Sequence, residues 1–424
     1  MKSGAIPHPA AEAARVLLLL PVASYRNDAF RAAAARLNIE VIAAADYCHQ
    51  LAPLWGLQPI MAVPFDRPHA GLETILRSLD RAPDAVLAVD DHGVELAALL
   101  NESFDLPGNN TAAVAQVRDK LRFRELLAAG GFGCPRFAHL PQRAATDALP
   151  PGLHFPVVVK ARRLNASRGV IRADNIAQYR AAVERVRGIQ RLTDRDAARL
   201  GLVVEEFIPG TEYALEGLLE NGRLSVLALF DKPDPLDGPY FEETIYATPS
   251  YLPDRMQRAV ARTVDDACRA AGLVTGPVHA EMRVNANGVF LLEIAPRSIG
   301  GLCGQVIEYA LGINLEVLVL CHALRQPLPL RTQRAAAAVM MIPIPARGIF
   351  NGVHGVAAAR AVTGIDDISI TAETGQIIMP PPEGAAYLGF IFARAATADA
   401  AVAALREAHH RLTFDIRPAM AVSR

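Results

Sequence analysis

Over the first hundred residues, continuous apolar runs alternate with amphipathic stretches: VLLLLP (16–21), then DAFRAAAARLN, then VIAAAD, a helical pattern near Leu72 to Leu79, and AVLAVD (85–90). Strands that are apolar at every position are buried on both faces, and helices between them supply the crossovers of a parallel, doubly wound sheet. The pattern predicts an N-terminal α/β domain over residues 1–110. Asp46, Asp90 and Asp91 fall at its strand ends, where ligands bind in such sheets, although capping and turn formation are the commoner work of aspartate there. Val22-Ala23-Ser24-Tyr25 follows the first strand, so the glycine-rich fingerprint of a dinucleotide site is missing.

Thr111 to Gly130 reads as one helix, capped by Asn110 or Thr111 and stopped by Gly130-Gly131. After Pro135 the period shifts towards two. The strands FPVVVKA, GLVVEEF, YALEGLLE, SVLALFD, HAEMRV and VFLLEIA follow, interrupted by helices near Ile176 to Arg187 and Met256 to Ala271. Grouped strands with occasional helices predict an α+β domain of mainly antiparallel sheet over residues 111–330, closing with a long helix from Leu302 to Leu324. From Arg334, VMMIPIP, a glycine-containing middle, AYLGFIFARA and a helix from Ala398 to Leu412 predict a third, small α/β domain over 331–424.

Composition narrows the classes of function. About half of the 424 residues are hydrophobic, enough for several cores. Lys plus Arg (43) nearly cancels Asp plus Glu (44), so nothing in the balance favours a nucleic-acid partner. Cys48, Cys134, Cys268, Cys303 and Cys321 are odd in number and widely spaced, which fits a reducing cytoplasm better than a disulfide framework. Arg15 to Pro21 is too short to span a bilayer and reads as a buried strand rather than a membrane segment.

The chemistry concentrates in His279 to Gly301, HAEMRVNANGVFLLEIAPRSIGG. Two alternating strands flank Asn285-Ala286-Asn287-Gly288, a hairpin signal. An odd-numbered loop centred on Asn287 puts Glu281 opposite Glu293 on one face; a two-residue Asn287-Gly288 turn would put them on opposite faces. Carboxylates facing each other across a hairpin repel unless a cation lies between them, and hard oxygen ligands suit Mg²⁺. Solvated surface is the alternative. Arg297 and Ser298 follow at once, with Gly300 and Gly301 allowing close backbone approach to a ligand. Upstream, Lys160 closes an apolar strand where an ammonium needs an anionic partner, whereas Lys120 lies among helix residues and is solvent-exposed by default. The turn with Ser167, Arg168, Gly169 and Val170 could offer backbone N–H groups to phosphate. Glu205, Glu206, Phe207 and Ile208 then break between two strands ahead of Glu212.

Taken in this order, these segments resemble the ATP-grasp superfamily over Asn109 to Gly301. The resemblance implies an ATP-grasp fold, with a lid subdomain at about 150–211 between the N-terminal domain and the small C-terminal one. It implies that Lys120 and Lys160 meet the nucleotide, that Ser167 to Val170 form the lid turn, that the Glu205 to Ile208 backbone contacts adenine, and that Glu212 binds ribose. Glu281 and Glu293 would hold Mg²⁺, with Mn²⁺ as a substitute, and Arg297 would steady an acyl phosphate. Many members carry Asn two residues beyond the second glutamate, where this chain has Ala295. The C-terminal stretch is most similar to L-amino-acid ligases of the biotin carboxylase-like lineage, which implies an ATP-dependent carboxylate–amine ligase and a homodimer. Two alternatives stay open: a carboxylase or formate-dependent transferase, and an ATP-binding regulatory protein without catalysis. His279, on the strand face of Glu281, and Lys232 and Glu242, in the polar segment Phe230 to Pro249, are further candidates for substrate contact.

Overall fold

The computed structural model describes residues 13–46, 60–193, 198–328 and 335–419, which leaves Cys48 outside the described residues. The chain divides into two compact units. One runs up to Gly108 and regains Glu316–Leu328; the other comprises Asn109–Leu315 and the chain from Pro329 onwards.

In the first unit, β1 (Arg15–Leu19), β2 (Glu40–Ala45), β3 (Met61–Ala62) and β4 (Ala85–Ala88) form a parallel sheet in the order β3-β2-β1-β4. Helices α1 (Asn27–Arg36) and α2 (Pro68–Ser78) supply crossovers between these strands, and α3 (Val94–Ser103) follows β4. Val16 to Leu19 are wholly buried in central β1, as an unbroken apolar run requires. Two of the strand-end acids are engaged locally. Asp46 Oδ1 accepts the Val22 N–H at 2.8 Å, and Asp90 Oδ1 accepts the His92 N–H at 3.1 Å.

The second unit opens with α4 (Thr111–Arg118) and α5 (Lys120–Ala129). The single helix expected here breaks at Asp119, which is extended (φ −102°, ψ 111°) and caps α5 by accepting the Leu121 N–H at 3.0 Å. The same carboxylate accepts from Arg162 Nε at 2.9 Å, so the break is fixed by a partner 43 residues away. A small antiparallel sheet follows, built from β5 (Phe137–Leu140), β6 (Val157–Ala161), β7 (Val170–Ala173) and β8 (Leu202–Glu206) in the order β5-β8-β6-β7. Helix α6 (Ile176–Thr193) contributes Tyr179, Val183 and Val186 to the core under it. This sheet and helix occupy the span expected of a lid subdomain, 150–211, except that β5 joins from outside it.

The large sheet has eight strands. Those before the helix break are β9 (Thr211–Glu220), β10 (Arg223–Asp231), β11 (Ile245–Thr248), β12 (Gly276–Asn285) and β13 (Gly288–Ala295). Helix α7 (Asp254–Ala271) closes the core beneath them with Val260, Val264 and Cys268. The helix expected from Leu302 to Leu324 is two, α8 (Gly304–Leu311) and α9 (Leu315–Ala323), parted at Gly312, whose φ of 69° suits glycine.

From Ala336 onwards, β14 (Ala336–Ile342), β15 (Gly348–His354), β16 (Ile365–Ile370), β17 (Ile377–Ile378), β18 (Gly389–Ala395) and β19 (Thr413–Arg417) follow, with α10 (Val356–Arg360) and α11 (Ala398–His410). β14, β18 and β16 extend the large sheet, whose full order is β13-β12-β9-β10-β11-β14-β18-β16; β17, β15 and β19 form a separate three-stranded sheet. The seam is β11 against β14, Ile245 opposite Met340 through Thr248 opposite Ala337. No single helix among the described residues is long and apolar enough to cross a membrane.

Candidate active site

Four neighbouring strands, β12, β9, β10 and β11, bring a set of charged side chains together at one end of the large sheet. Glu281 faces Glu293 across the β12–β13 hairpin. The loop is not odd-numbered: Asn285 pairs with Gly288 around a two-residue Ala286-Asn287 turn, and a bulge between Glu281 and Met282 on the pairing ladder leaves Leu292 as the extra residue. Without that bulge, the turn would set Leu292 opposite Glu281 and send Glu293 to the other face. Arg124, fully buried, holds the bulge by donating from Nη1 to the Leu292 carbonyl at 2.9 Å.

The other side of Arg124 explains two further residues. Its Nε donates to Glu205 Oε2 at 2.8 Å, and Lys160 pairs with the same carboxylate. Burial would raise the Glu205 pKa, but Arg124 and then Lys160 outweigh it and hold it at about 2. For Lys160 burial prevails over Glu205 and lowers the ammonium below its ordinary range. The Glu205 side chain is thus the anion that an apolar strand ending in lysine requires. Lys120 is part-buried rather than solvent-exposed: its Nζ donates to the Leu164 carbonyl at 2.7 Å and lies 3.5 Å from Glu293 Oε2.

Lys232 leaves the end of β10 and is 4% exposed. Its Nζ donates to Glu243 Oε1 at 2.6 Å, Glu212 Oε1 at 2.9 Å and Glu281 Oε1 at 3.1 Å. Burial would lower its pKa, yet Glu212, Glu243 and Glu281 together raise it well above the ordinary lysine range. Glu212 also accepts from Arg283 Nε at 3.2 Å. Burial lifts Glu243 to about 7, with Lys232 opposing and Glu281 reinforcing. Tyr246 donates its hydroxyl to Glu243 Oε1 at 2.7 Å. Glu242, the acid singled out from the sequence, lies one residue off this cluster; one of its oxygens is buried without a hydrogen-bond partner among the described residues, and burial raises its pKa.

His279 Nδ1 lies 3.2 Å from Glu216 Oε2, and Nε2 lies 3.5 Å from Glu281 Oε1. Burial would lower its pKa, but these two carboxylates carry it to about 9. Glu216, fully buried, also accepts the Ile299 N–H at 3.0 Å. It thereby fixes the backbone directly after Arg297 and buried Ser298. Gly300 has open space where a Cβ would stand, and Gly301 (φ +60°) lies so close to Phe390 that a Cβ would approach its ring to 2.9 Å.

The lid turn has Ala166 and Ser167 at positive φ, 50° and 55°. The Gly169 N–H donates to the Pro382 carbonyl at 2.9 Å, and the Arg172 N–H, on edge strand β7, donates to the Pro239 carbonyl at 2.9 Å. Arg185 on α6 grips Glu383 with two bonds, 2.6 and 2.9 Å. The subdomain is therefore latched at several points to the segments around Pro239 and Pro382. At the end of β8 and in the linker after it, the Glu206 N–H donates to the Arg136 carbonyl and the Phe207 N–H to the Pro156 carbonyl, both at 2.9 Å, and the Ile208 carbonyl accepts from Arg283 Nη1 at 2.9 Å. Phe207 stacks on Phe241 at 6.4 Å with the Arg172 guanidinium 4.2 Å from its ring centroid.

A family model of the ATP-grasp domain matches residues 153–306 of this chain, and one of the L-amino acid ligase C-terminal domain 2 matches residues 340–417. The chain carries an ATP-grasp domain followed by an L-amino acid ligase C-terminal domain. Carnosine synthase 1 of Gallus gallus is 30% identical over 269 residues, covering 60% of this chain but only 28% of the relative. Dapdiamide A synthase of Enterobacter agglomerans is 27% identical over 299 residues, covering 65% of this chain and 68% of the relative. The crystal structure of an L-amino acid ligase from Bacillus licheniformis shares the fold, with a TM-score of 0.79 at 24% identity over 96% of this chain and 100% of that one.

The carboxylates gathered here are hard oxygen donors that suit Mg²⁺. Oxygens of Glu212, Glu243 and Glu281 lie within 4.8 Å of one another, and Glu281 faces Glu293. Sequence reasoning missed Glu243, Tyr246, Glu216 and Arg124. Glu243 stands beside Glu242, and which of the two faces the cluster depends on the path of an irregular segment before β11. Glu216 sits mid-strand, where only the buried-acid rule, that such a group must have partners, could have flagged it.

Proposed function

We propose that this chain is an ATP-dependent ligase that activates a carboxylate as an acyl phosphate and joins it to an amine, releasing ADP and phosphate. The observation that carries the reading is the pairing of Glu281 with Glu293 across the hairpin, with Lys120 3.5 Å from Glu293 and the backbone after Arg297 pinned by Glu216. Glu281 and Glu293 would hold Mg²⁺, or Mn²⁺ in its place, which when bound supplies positive charge for phosphoryl transfer. Lys120 and Lys160 add fixed positive charge for the nucleotide phosphates. Ser167 to Val170, Glu206 to Ile208 and Glu212 line its remaining contacts.

A substrate carboxylate oxygen attacks the γ-phosphorus, and the bond from that phosphorus to the β–γ bridging oxygen breaks as ADP departs. A neutral amine then attacks the acyl carbon. The bond from carbon to the phosphate oxygen breaks, and the amine's proton passes to the departing phosphate. Arg297, with Ser298, Gly300 and Gly301 beside it, orients the carboxylate and its acyl phosphate, and the His279 imidazolium adds charge on the same face. Positioning and electrostatics supply the catalysis, so no enzyme nucleophile is required. The latched lid keeps water from a hydrolysable intermediate.

The relatives' names favour amino acids as substrates. Phosphate release from Mg²⁺-ATP is to be measured against single amino acids, amino-acid pairs and bicarbonate, with mass spectrometry of the products. Release that requires amino acids and yields a dehydrated pair is expected. Release that tracks bicarbonate, or ATP binding without turnover under every condition, would overturn the proposal.

A further inference from the structure

Two groups of carboxylates share Glu281. Glu281 with Glu293 forms the metal pair of the proposed ligase, and Glu281 with Glu212 and Glu243 forms a second set, its oxygens within 4.8 Å of one another. Both sets have the chemistry of a divalent-cation site, but the second is filled by the protein itself. An ammonium has three N–H donors. Lys232 spends one on each carboxylate of the second set, at 2.9, 2.6 and 3.1 Å. The Tyr246 ring stands 5.0 Å from the same nitrogen, and the residue is 4% exposed. Its partners meet Glu281 at a single oxygen: Lys232, the Tyr246 hydroxyl at 3.3 Å and His279 Nε2 at 3.5 Å all reach Oε1.

We propose that Lys232 is a resident cation that occupies the Glu212–Glu243–Glu281 set, so that the loaded site takes one divalent ion, between Glu281 and Glu293, rather than two. The lysine orders Glu281 before any ion arrives and supplies the charge that a second ion would bring. Ala295 agrees with this arrangement: paired opposite His279 and 2% exposed, it offers no ligand atom on that flank. Removal of the ammonium leaves three carboxylates facing one another, Glu212 buried and Glu243 and Glu281 half-buried, a geometry that recruits a divalent cation or protons in its place.

The inference rests on the metal-dependent nucleotide site proposed above, and its test separates the two. Mn²⁺ binding to the full chain with saturating AMP-PNP is counted by the EPR signal of free Mn²⁺, alongside thermal melting with and without Mn²⁺ in the absence of nucleotide. One Mn²⁺ per wild-type chain, two per Lys232→Met chain and one per Lys232→Arg chain are expected. Melting of Lys232→Met should rise with Mn²⁺ by several degrees more than that of the wild type, a readout that survives if the variant folds only when the ion is present. Two Mn²⁺ on the wild type would overturn the inference and leave the ligase reading standing, and so would a Lys232→Met protein with unchanged count and unchanged melting response. No Mn²⁺ on the wild type would overturn both.

Discussion

Replacing Glu205 by Gln removes a charge that two buried cations share, Arg124 at 2.8 Å and Lys160 beside it, while keeping the side chain's shape. A carboxyl held at about 2 in the folded chain, against an ordinary 4.5, contributes about 3 kcal/mol of stability at neutral pH. Because the folded pKa is the lower one, the contribution is complete above the unfolded value and is lost as pH falls towards the folded value. It should drop to about 2 kcal/mol near about pH 3.5. Urea denaturation followed by circular dichroism, run from about pH 7 down to about pH 3.5, should therefore show Glu205→Gln less stable by about 3 kcal/mol at the top of the range. The gap should narrow by about 1 kcal/mol at the bottom. The reasoning also requires that Arg124→Met be at least as damaging, since it strands both Glu205 and the Leu292 carbonyl. A gap below about 1 kcal/mol at neutral pH, or one that stays constant with pH, would refute it.

Asn109→Ala should cost about 1–2 kcal/mol in the same denaturation assay, because its side chain donates to the Thr275 carbonyl at 2.8 Å and accepts the Val274 and Thr275 N–H groups at 2.7 and 3.1 Å. Glu281→Gln should lower turnover by about 100-fold or more while melting within a few degrees of the wild type, since the Lys232 and Tyr246 bonds can persist to an amide oxygen; steady-state kinetics and calorimetry check both halves. Glu383→Gln weakens the exposed pair with Arg185, worth about 0.5–1 kcal/mol, so a few-fold rise in phosphate released per amide formed is expected, read from product ratios.

The parallel sheet of the first unit was legible because its strands are apolar at every position. The antiparallel sheets were legible from the shift in period after Pro135. The facing of Glu281 and Glu293 was also reached, but through a different turn: the bulge at Leu292 that creates it depends on Arg124, 168 residues away, and no local pattern encodes such a contact. Asp119 illustrates the same limit. Its neighbours favour continuous helix, and the break comes from the Asp119 pairing with Arg162 across 43 residues. Lys120 looked solvent-exposed because a lysine on a helix usually is, whereas here it begins the helix and turns towards Glu293. Charged residues whose partners are distant in sequence were the least legible, and in this chain those are the residues that build the site.

The β11–β14 seam bears on how such chains can be rearranged. Four residue pairs, from Ile245–Met340 to Thr248–Ala337, stitch the ATP-grasp strands to those of the C-terminal stretch within one sheet. A chimera that swaps everything after β13 for a relative's tail must therefore recreate a strand partner for β11, not merely a matching surface. Recombination cut points that carry β11 and β14 together should yield folded hybrids, whereas those that separate them should leave an open strand edge prone to aggregation.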